Sequence, residues 1–273
     1  MTSIQGIRKK EYAGCEIYFM DKFSDELKQE LRERLVKVCY GTDQAQSTSK
    51  IYSYKATVKE FIKRYNTHDD NSENRKKGMI GELLVHVLLE LEERFQTASP
   101  FFNMEERSFK KGFDIILIES NTNDLWITET KSGSKHERHR TASSAIVGLI
   151  NTAKNDLNRR LNEANESLWL NAINSAKVSM SSGSHQKEAV IKLLEQCADE
   201  SVSGDTTSNK FNVVLSGVLF HPLTECIDES KVNQKYEKIM EEKLFKKVFI
   251  LAIQKETFET VYSFLESEAN DEV

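Results

Sequence analysis

Residues 112–131 read GFDIILIESNTNDLWITETK. Two apolar, β-branched runs, 113–118 and 125–131, flank the turn-forming stretch ESNTND at 119–124, and the pattern predicts a β-hairpin. Side chains alternate across a strand, so Glu129 and Lys131 share a face with Leu125 and Ile127, while Trp126, Thr128 and Thr130 point the other way. Its apolar neighbours make the Glu129 face the one expected against the core. Asp114 interrupts the first run, and in a hairpin it falls beside Glu129.

Upstream, residues 73–95 carry the strongest helical period. Ile80, Leu84, Val87, Leu88, Leu91 and Phe95 line one face, and Met79, Leu83 and Leu89 widen it. Glu82 stands inside this helix, in GMIGELLVHVLL (78–89). Packed over the sheet, the helix is expected to bring Glu82 towards Asp114 and Glu129. His86, one turn on, reads as a packing residue. An edge strand is expected at 101–109, completing a meander.

Residues 14–20, 211–220 and 248–253 read as further strands. Helices are expected at 21–38, 56–65, 141–164, 167–178, 186–198, 231–245 and 256–265, with polar loops at 41–50 and 199–209. The resulting fold class is α/β with a mixed sheet. A core ordered helix–β–β–β–helix–β occupies residues 71–273. Residues 1–70 form a helical N-terminal extension that docks on a protein partner or buttresses the core.

Three carboxylates and a lysine converging in a partly buried site demand a counter-charge, because burying unpaired carboxylates is costly. Hard oxygen donors suit Mg²⁺, with Mn²⁺ able to replace it, and such a site is completed by waters and substrate phosphates. The fitting chemistry is phosphodiester hydrolysis. In this reading Glu82, Asp114, Glu129 and Lys131 are catalytic. The metal is held by Glu82 (directly or through water), Asp114, Glu129 and the main-chain carbonyl of Thr130. Lys131 positions or helps to deprotonate the attacking water, or stabilises the growing negative charge.

The order Glu82 … Asp114 … Glu129-Thr130-Lys131 on helix–β–β–β–helix resembles the PD-(D/E)xK nuclease superfamily, with Phe113 standing where its motif has proline. The segments GMIGELLVHVLLE, KKGFDIILIE and DLWITETKSG, within 78–133, resemble the HamA family, the nuclease component of Hachiman anti-phage defence systems. The resemblance implies a restriction-endonuclease-like core. It also implies a metal-dependent DNase of little sequence specificity, held in check by a superfamily 2 helicase partner of the HamB type. Other readings are a catalytically silent DNA-binding or scaffold module of a helicase complex, a sequence-specific restriction endonuclease, and an RNase.

Other classes are excluded by composition. No apolar run approaches the ~20 residues that span a bilayer, so no membrane role is expected. The four cysteines, Cys15, Cys39, Cys197 and Cys226, form no CxxC pair, which leaves neither a zinc knuckle nor a disulfide framework. With the polar first ten residues, this points to a reduced cytoplasmic protein, and the resemblance to an anti-phage family implies that the cytoplasm is bacterial. There is no GxxxxGK[ST] loop and no GxSxG elbow. The formal net charge of −5 argues at first against nucleic acid, but Glu266, Glu268, Asp271 and Glu272 supply four of those charges. Lys131, Lys135, Arg138 and Arg140 face only Glu137 within 131–140. Lys135, Arg138 and Arg140, with Lys110 and Lys111, are therefore the candidate phosphate contacts.

Overall fold

The computed structural model describes residues 4–66, 73–102, 112–136, 140–163 and 165–271. A single seven-stranded mixed sheet organises them, in the spatial order β1-β2-β7-β6-β5-β4-β3. The strands are β1 (Ile7–Tyr12), β2 (Cys15–Met20), β3 (Phe95–Thr97), β4 (Ile115–Glu119), β5 (Leu125–Ser134), β6 (Asn212–Phe220) and β7 (Lys247–Lys255). β2, β7, β6 and β5 run parallel to their neighbours, whereas β1 and the β3–β4–β5 meander pair antiparallel. β6 is buried at every position, as expected for a parallel strand covered on both faces.

Helices α1 (Asp25–Tyr40), α2 (Thr42–Ala45), α3 (Tyr54–Asn66) and α4 (Glu73–Leu91) precede the meander. α5 (Ala142–Asn162), α6 (Glu166–Ser179), α7 (His185–Val202), α8 (Glu229–Glu241) and α9 (Glu259–Asn270) follow it. They form two outer layers over two separate cores. One face of the sheet, with Trp126, Val214 and Leu251, packs against α1, α3, α4 and α9. The other, with Ile127, Leu215 and Ile250, packs against α5, α6, α7 and α8.

Most expected elements occur, and the α1 stripe of Leu27, Leu31 and Leu35 is buried. Four details differ, the first being that 41–50, expected as a polar loop, contains the short helix α2. The N-terminal stretch is not wholly helical, because β1 and β2 join the same sheet as the motif strands. The third strand of the meander is β3, not 101–109. Phe95 leaves the helix to lie opposite Glu119 and packs edge-on against Trp126 at 5.6 Å. Phe101 and Phe102 lie outside any strand, and 103–109 fall outside the described residues. The stretch expected as a polar loop from 199 begins as helix, since α7 continues to Val202.

Two glycines set how closely the helices approach the motif strands. A Cβ on Gly217 of β6 would lie 2.9 Å from Ile146 Cδ1 of α5. A Cβ on Gly81 of α4 would lie 1.9 Å from Ser132 Oγ and 2.8 Å from its Cβ. α4 therefore rests directly on the second half of β5. Gly81→Val is expected to lower stability by about 1–3 kcal/mol by forcing these elements apart. Urea unfolding would measure it, and a wild-type midpoint would contradict the close approach.

Candidate active site

β5 is longer than its antiparallel partner. The β4–β5 ladder ends at Ile115↔Thr128, while β5 continues to Ser134 against β6 alone. Among the described residues, no strand pairs with the other edge of Glu129–Ser134. Asp114 is placed at this edge. It occupies a bend immediately before β4 rather than a strand position, and its Oδ2 accepts the Thr130 N–H at 2.8 Å. One step beyond the last ladder pair, Asp114 comes abreast of Glu129, as the hairpin reading expects. In an extended strand the N–H and C=O of one residue point to the same edge. The Thr130 carbonyl therefore faces the edge that carries Asp114.

Glu129 is nearly fully buried, at 3% exposure, and both its carboxylate oxygens are engaged. Lys131 Nζ donates to Oε1 at 2.9 Å, and Arg160 Nη1 donates to Oε2 at 2.7 Å. Burial, and then the negative charge of Asp114, push this carboxyl up to about 7, against the opposing pull of Arg160 and Lys131. Burial works against the charge of Lys131, but Glu129 and Asp156 outweigh it and hold the ammonium above its usual range. Asp156 Oδ2 lies 2.8 Å from Lys131 Nζ.

Asp156 and Arg160 sit one turn apart on α5, so one helix face grips both polar residues of the β5 motif. Arg160 also donates to the carbonyl of Gly112, and its guanidinium lies 5.5 Å from the centre of the Phe113 ring. One side chain thus joins the segment carrying Asp114 to the strand carrying Glu129. Sequence reading missed both α5 residues, because polar positions near the end of an amphipathic helix resemble a solvated face. The available signal was their i, i+4 spacing beyond the apolar stripe.

The helix carrying Glu82 covers the other face of β5. Gly81 touches Ser132, which shares its face with Trp126 and Thr130, whereas the Glu129 face is covered by α5. Glu82 is half-buried at the level of Ser132. Among the described residues, no three His, Cys, Asp or Glu side chains gather in a metal-binding cluster. The structure brings Asp114, Glu129, Thr130 and Lys131 together; Glu82 is carried by α4, which covers the other face of β5 and whose Asn74 lines the same cleft as Lys131. His86 is fully buried and edge-on to Phe101, with ring centres 5.7 Å apart, a packing position.

A cleft of about 540 Å³ opens at Lys131, lined also by Ser132, Gly133, Ser134 and His136 of the β5 end and Thr152 of α5. Of the candidate phosphate contacts, Lys135 pairs with Glu225 at 2.5 Å. Glu225 also accepts the Ala142 N–H at 2.7 Å at the start of α5. Its carboxyl is lowered, first by Lys135 and next by that N–H. Arg140 is exposed. Lys110, Lys111 and Arg138 lie outside the described residues.

The donor set suits a hard divalent cation. Two carboxylates lie abreast, one of them destabilised by the other's charge, beside a main-chain carbonyl on an open strand edge. Mg²⁺ sites commonly use only one or two carboxylates, with waters and substrate phosphates supplying the rest. No helix of the described residues is long and apolar enough to cross a membrane. No curated protein matches the chain. Residues 5–265, nearly the whole length, match the family model HamA, and the chain belongs to the HamA family of Hachiman defence systems.

Proposed function

We propose that this HamA protein is a metal-dependent DNA nuclease with a PD-(D/E)xK-type site, hydrolysing phosphodiester bonds with little sequence specificity. In this reading it is the effector of its defence system and is restrained by a helicase partner. The observation that carries the proposal is the placement of Asp114 abreast of Glu129, with Lys131 on the Glu129 carboxylate, at an open strand edge beside a cleft.

Asp114, Glu129 and the Thr130 carbonyl would hold Mg²⁺, which supplies polarisation of the phosphodiester and acidification of a bound water. Lys131 presents a positive charge where a phosphate gains negative charge during attack. Asp156 holds that ammonium in place, and Arg160 fixes the second oxygen of Glu129. Burial of Glu129 excludes water from its far side. Glu82, carried by α4 on the other face of β5, would act at the open edge through water.

Purified protein with Mg²⁺ is expected to nick and then degrade supercoiled plasmid. EDTA is expected to stop cleavage, and the helicase of the same system to suppress it. Gel electrophoresis reads all three outcomes. Discrete fragments would point instead to a sequence-specific endonuclease. Tight DNA binding without cleavage in Mg²⁺ or Mn²⁺ would point to a silent binding module.

A further inference from the structure

Of the residues brought together at the β5 edge, Asp114 is the one least secured by secondary structure. Glu129, Thr130 and Lys131 lie inside the β5–β6 ladder. Asp114 lies in a bend, one residue before the β4–β5 ladder begins at Ile115↔Thr128. A proline at 113, as in the motif the sequence resembles, would fix its own φ. Phe113 leaves that torsion free, so the place of Asp114 has to come from packing.

Phe113 is buried, and two groups grip its ring. The Arg160 guanidinium lies 5.5 Å from its centre, and Trp169 of α6 meets it edge-on, with ring centres 5.1 Å apart. Trp169 is 1% exposed and stacks in turn on Phe211 at 5.3 Å, with 29° between the planes. Phe211 leads directly into β6, the strand that pairs with Glu129–Lys131. α6 also runs close to the main chain of the bend, since a Cβ on Gly112 would lie 3.5 Å from Asn171 Cβ. The series Phe113–Trp169–Phe211 thus ties the bend to the strand behind the motif through a separate helix. Aromatic pairs have preferred orientations, so they fix direction as well as burying area.

We propose that Trp169 is a positioning residue of the candidate metal site, acting through Phe113 to hold Asp114 abreast of Glu129 with its carboxylate on the Thr130 N–H. That Asp114 then holds a metal rests on the proposed function, whereas the placement of Asp114 does not. A carboxylate displaced by ~1 Å keeps its charge but no longer shares a cation with Glu129, so metal affinity and turnover fall together. The affinity for DNA, which Trp169 does not touch from inside the core, should stay as it is.

The test is Trp169→Leu in the full chain, at a temperature where circular dichroism shows it folded. Amide hydrogen exchange, read by NMR without metal, reports the placement directly, because the Thr130 N–H is held by Asp114 while the Lys131 N–H faces β6. Thr130 should lose its protection and Lys131 should keep it. Mn²⁺, followed by electron paramagnetic resonance without DNA, should bind ~10- to 100-fold more weakly. Plasmid nicking at a fixed Mn²⁺ concentration should fall with it, with KM for plasmid unchanged. Trp169→Phe keeps a ring against Phe113 and should recover most of both. Leu194→Ala, a cavity in the same core, should lower the thermal midpoint and leave Thr130 protection and Mn²⁺ affinity as in the wild type. Wild-type protection of Thr130 in Trp169→Leu, or equal loss of it in Leu194→Ala, would overturn the proposal and leave Trp169 a packing residue. Should Trp169→Leu not fold, Phe113→Leu removes the other ring of the pair and should give the same loss at Thr130, and a wild-type pattern there would overturn the proposal equally. A wild type that binds no Mn²⁺ would count against the metal-dependent reading alone, because the exchange of Thr130 is measured without metal.

Discussion

Glu129→Gln and Lys131→Ala should each slow metal-dependent plasmid cleavage by at least ~10³-fold, measured as initial nicking rates at saturating Mg²⁺. Glu129→Gln keeps the size of the side chain and a hydrogen-bonding head but removes the negative charge that a divalent cation needs beside Asp114. Lys131→Ala removes the cation nearest the cleft and leaves Asp156 without its partner at 2.8 Å. Both variants should retain the wild-type far-UV circular dichroism, since β5 keeps its whole ladder to β6. A double variant that cleaves at the wild-type rate would remove the β5 edge as the reaction site. Asp114→Asn tests the same site differently. Its side chain also accepts the Thr130 N–H, so the amide can preserve that hydrogen bond while abolishing the charge.

Part of this site can be read directly from the chain, and the reason is local. Glu129 and Lys131 lie two residues apart in an alternating strand, so their common face follows from the geometry of one element. Asp114 beside Glu129 requires only a hairpin, and the turn residues at 119–124 mark one. What lay beyond reach depends on long-range packing. Both faces of β5 are buried, so an apolar neighbour such as Ile127 does not say which helix covers it; α5 takes that face and α4 the other. This is why the sequence does not tell from which side of the sheet the helix carrying Glu82 approaches. β1 was hidden for a different reason. Its sequence IRKKEY is largely exposed on the sheet edge, and charged residues on an edge strand carry little β signal while protecting the edge from unwanted pairing.

The same limit concealed Arg160, whose removal carries the largest structural consequence. Arg160→Leu should destabilise the protein by about 2–4 kcal/mol at neutral pH, since it strips a cation from a nearly buried carboxylate. The lower part of the range applies if Lys131, still 2.9 Å from the other oxygen, compensates. The effect should depend on pH with a definite sign. In the folded chain the Glu129 carboxyl titrates above its unfolded value, at about 7. The folded state then binds more protons than the unfolded one between the ordinary carboxyl range and that value, and its stability falls as pH rises through the window. Without Arg160, one of the charges that holds this pKa down is lost, so the window extends upwards and the penalty grows. Urea midpoints for Arg160→Leu should therefore approach wild type near pH 5 and fall furthest behind above pH 8. Arg160→Lys should restore part of the stability but little of the activity, because an ammonium cannot reproduce the planar fork that reaches both Glu129 and the Gly112 carbonyl. A positioning role further predicts that the acid limb of the cleavage profile moves to higher pH in Arg160→Leu. Equal destabilisation at pH 5 and pH 8, with an unshifted profile, would mean that Arg160 serves packing against Phe113 and not the charge of Glu129.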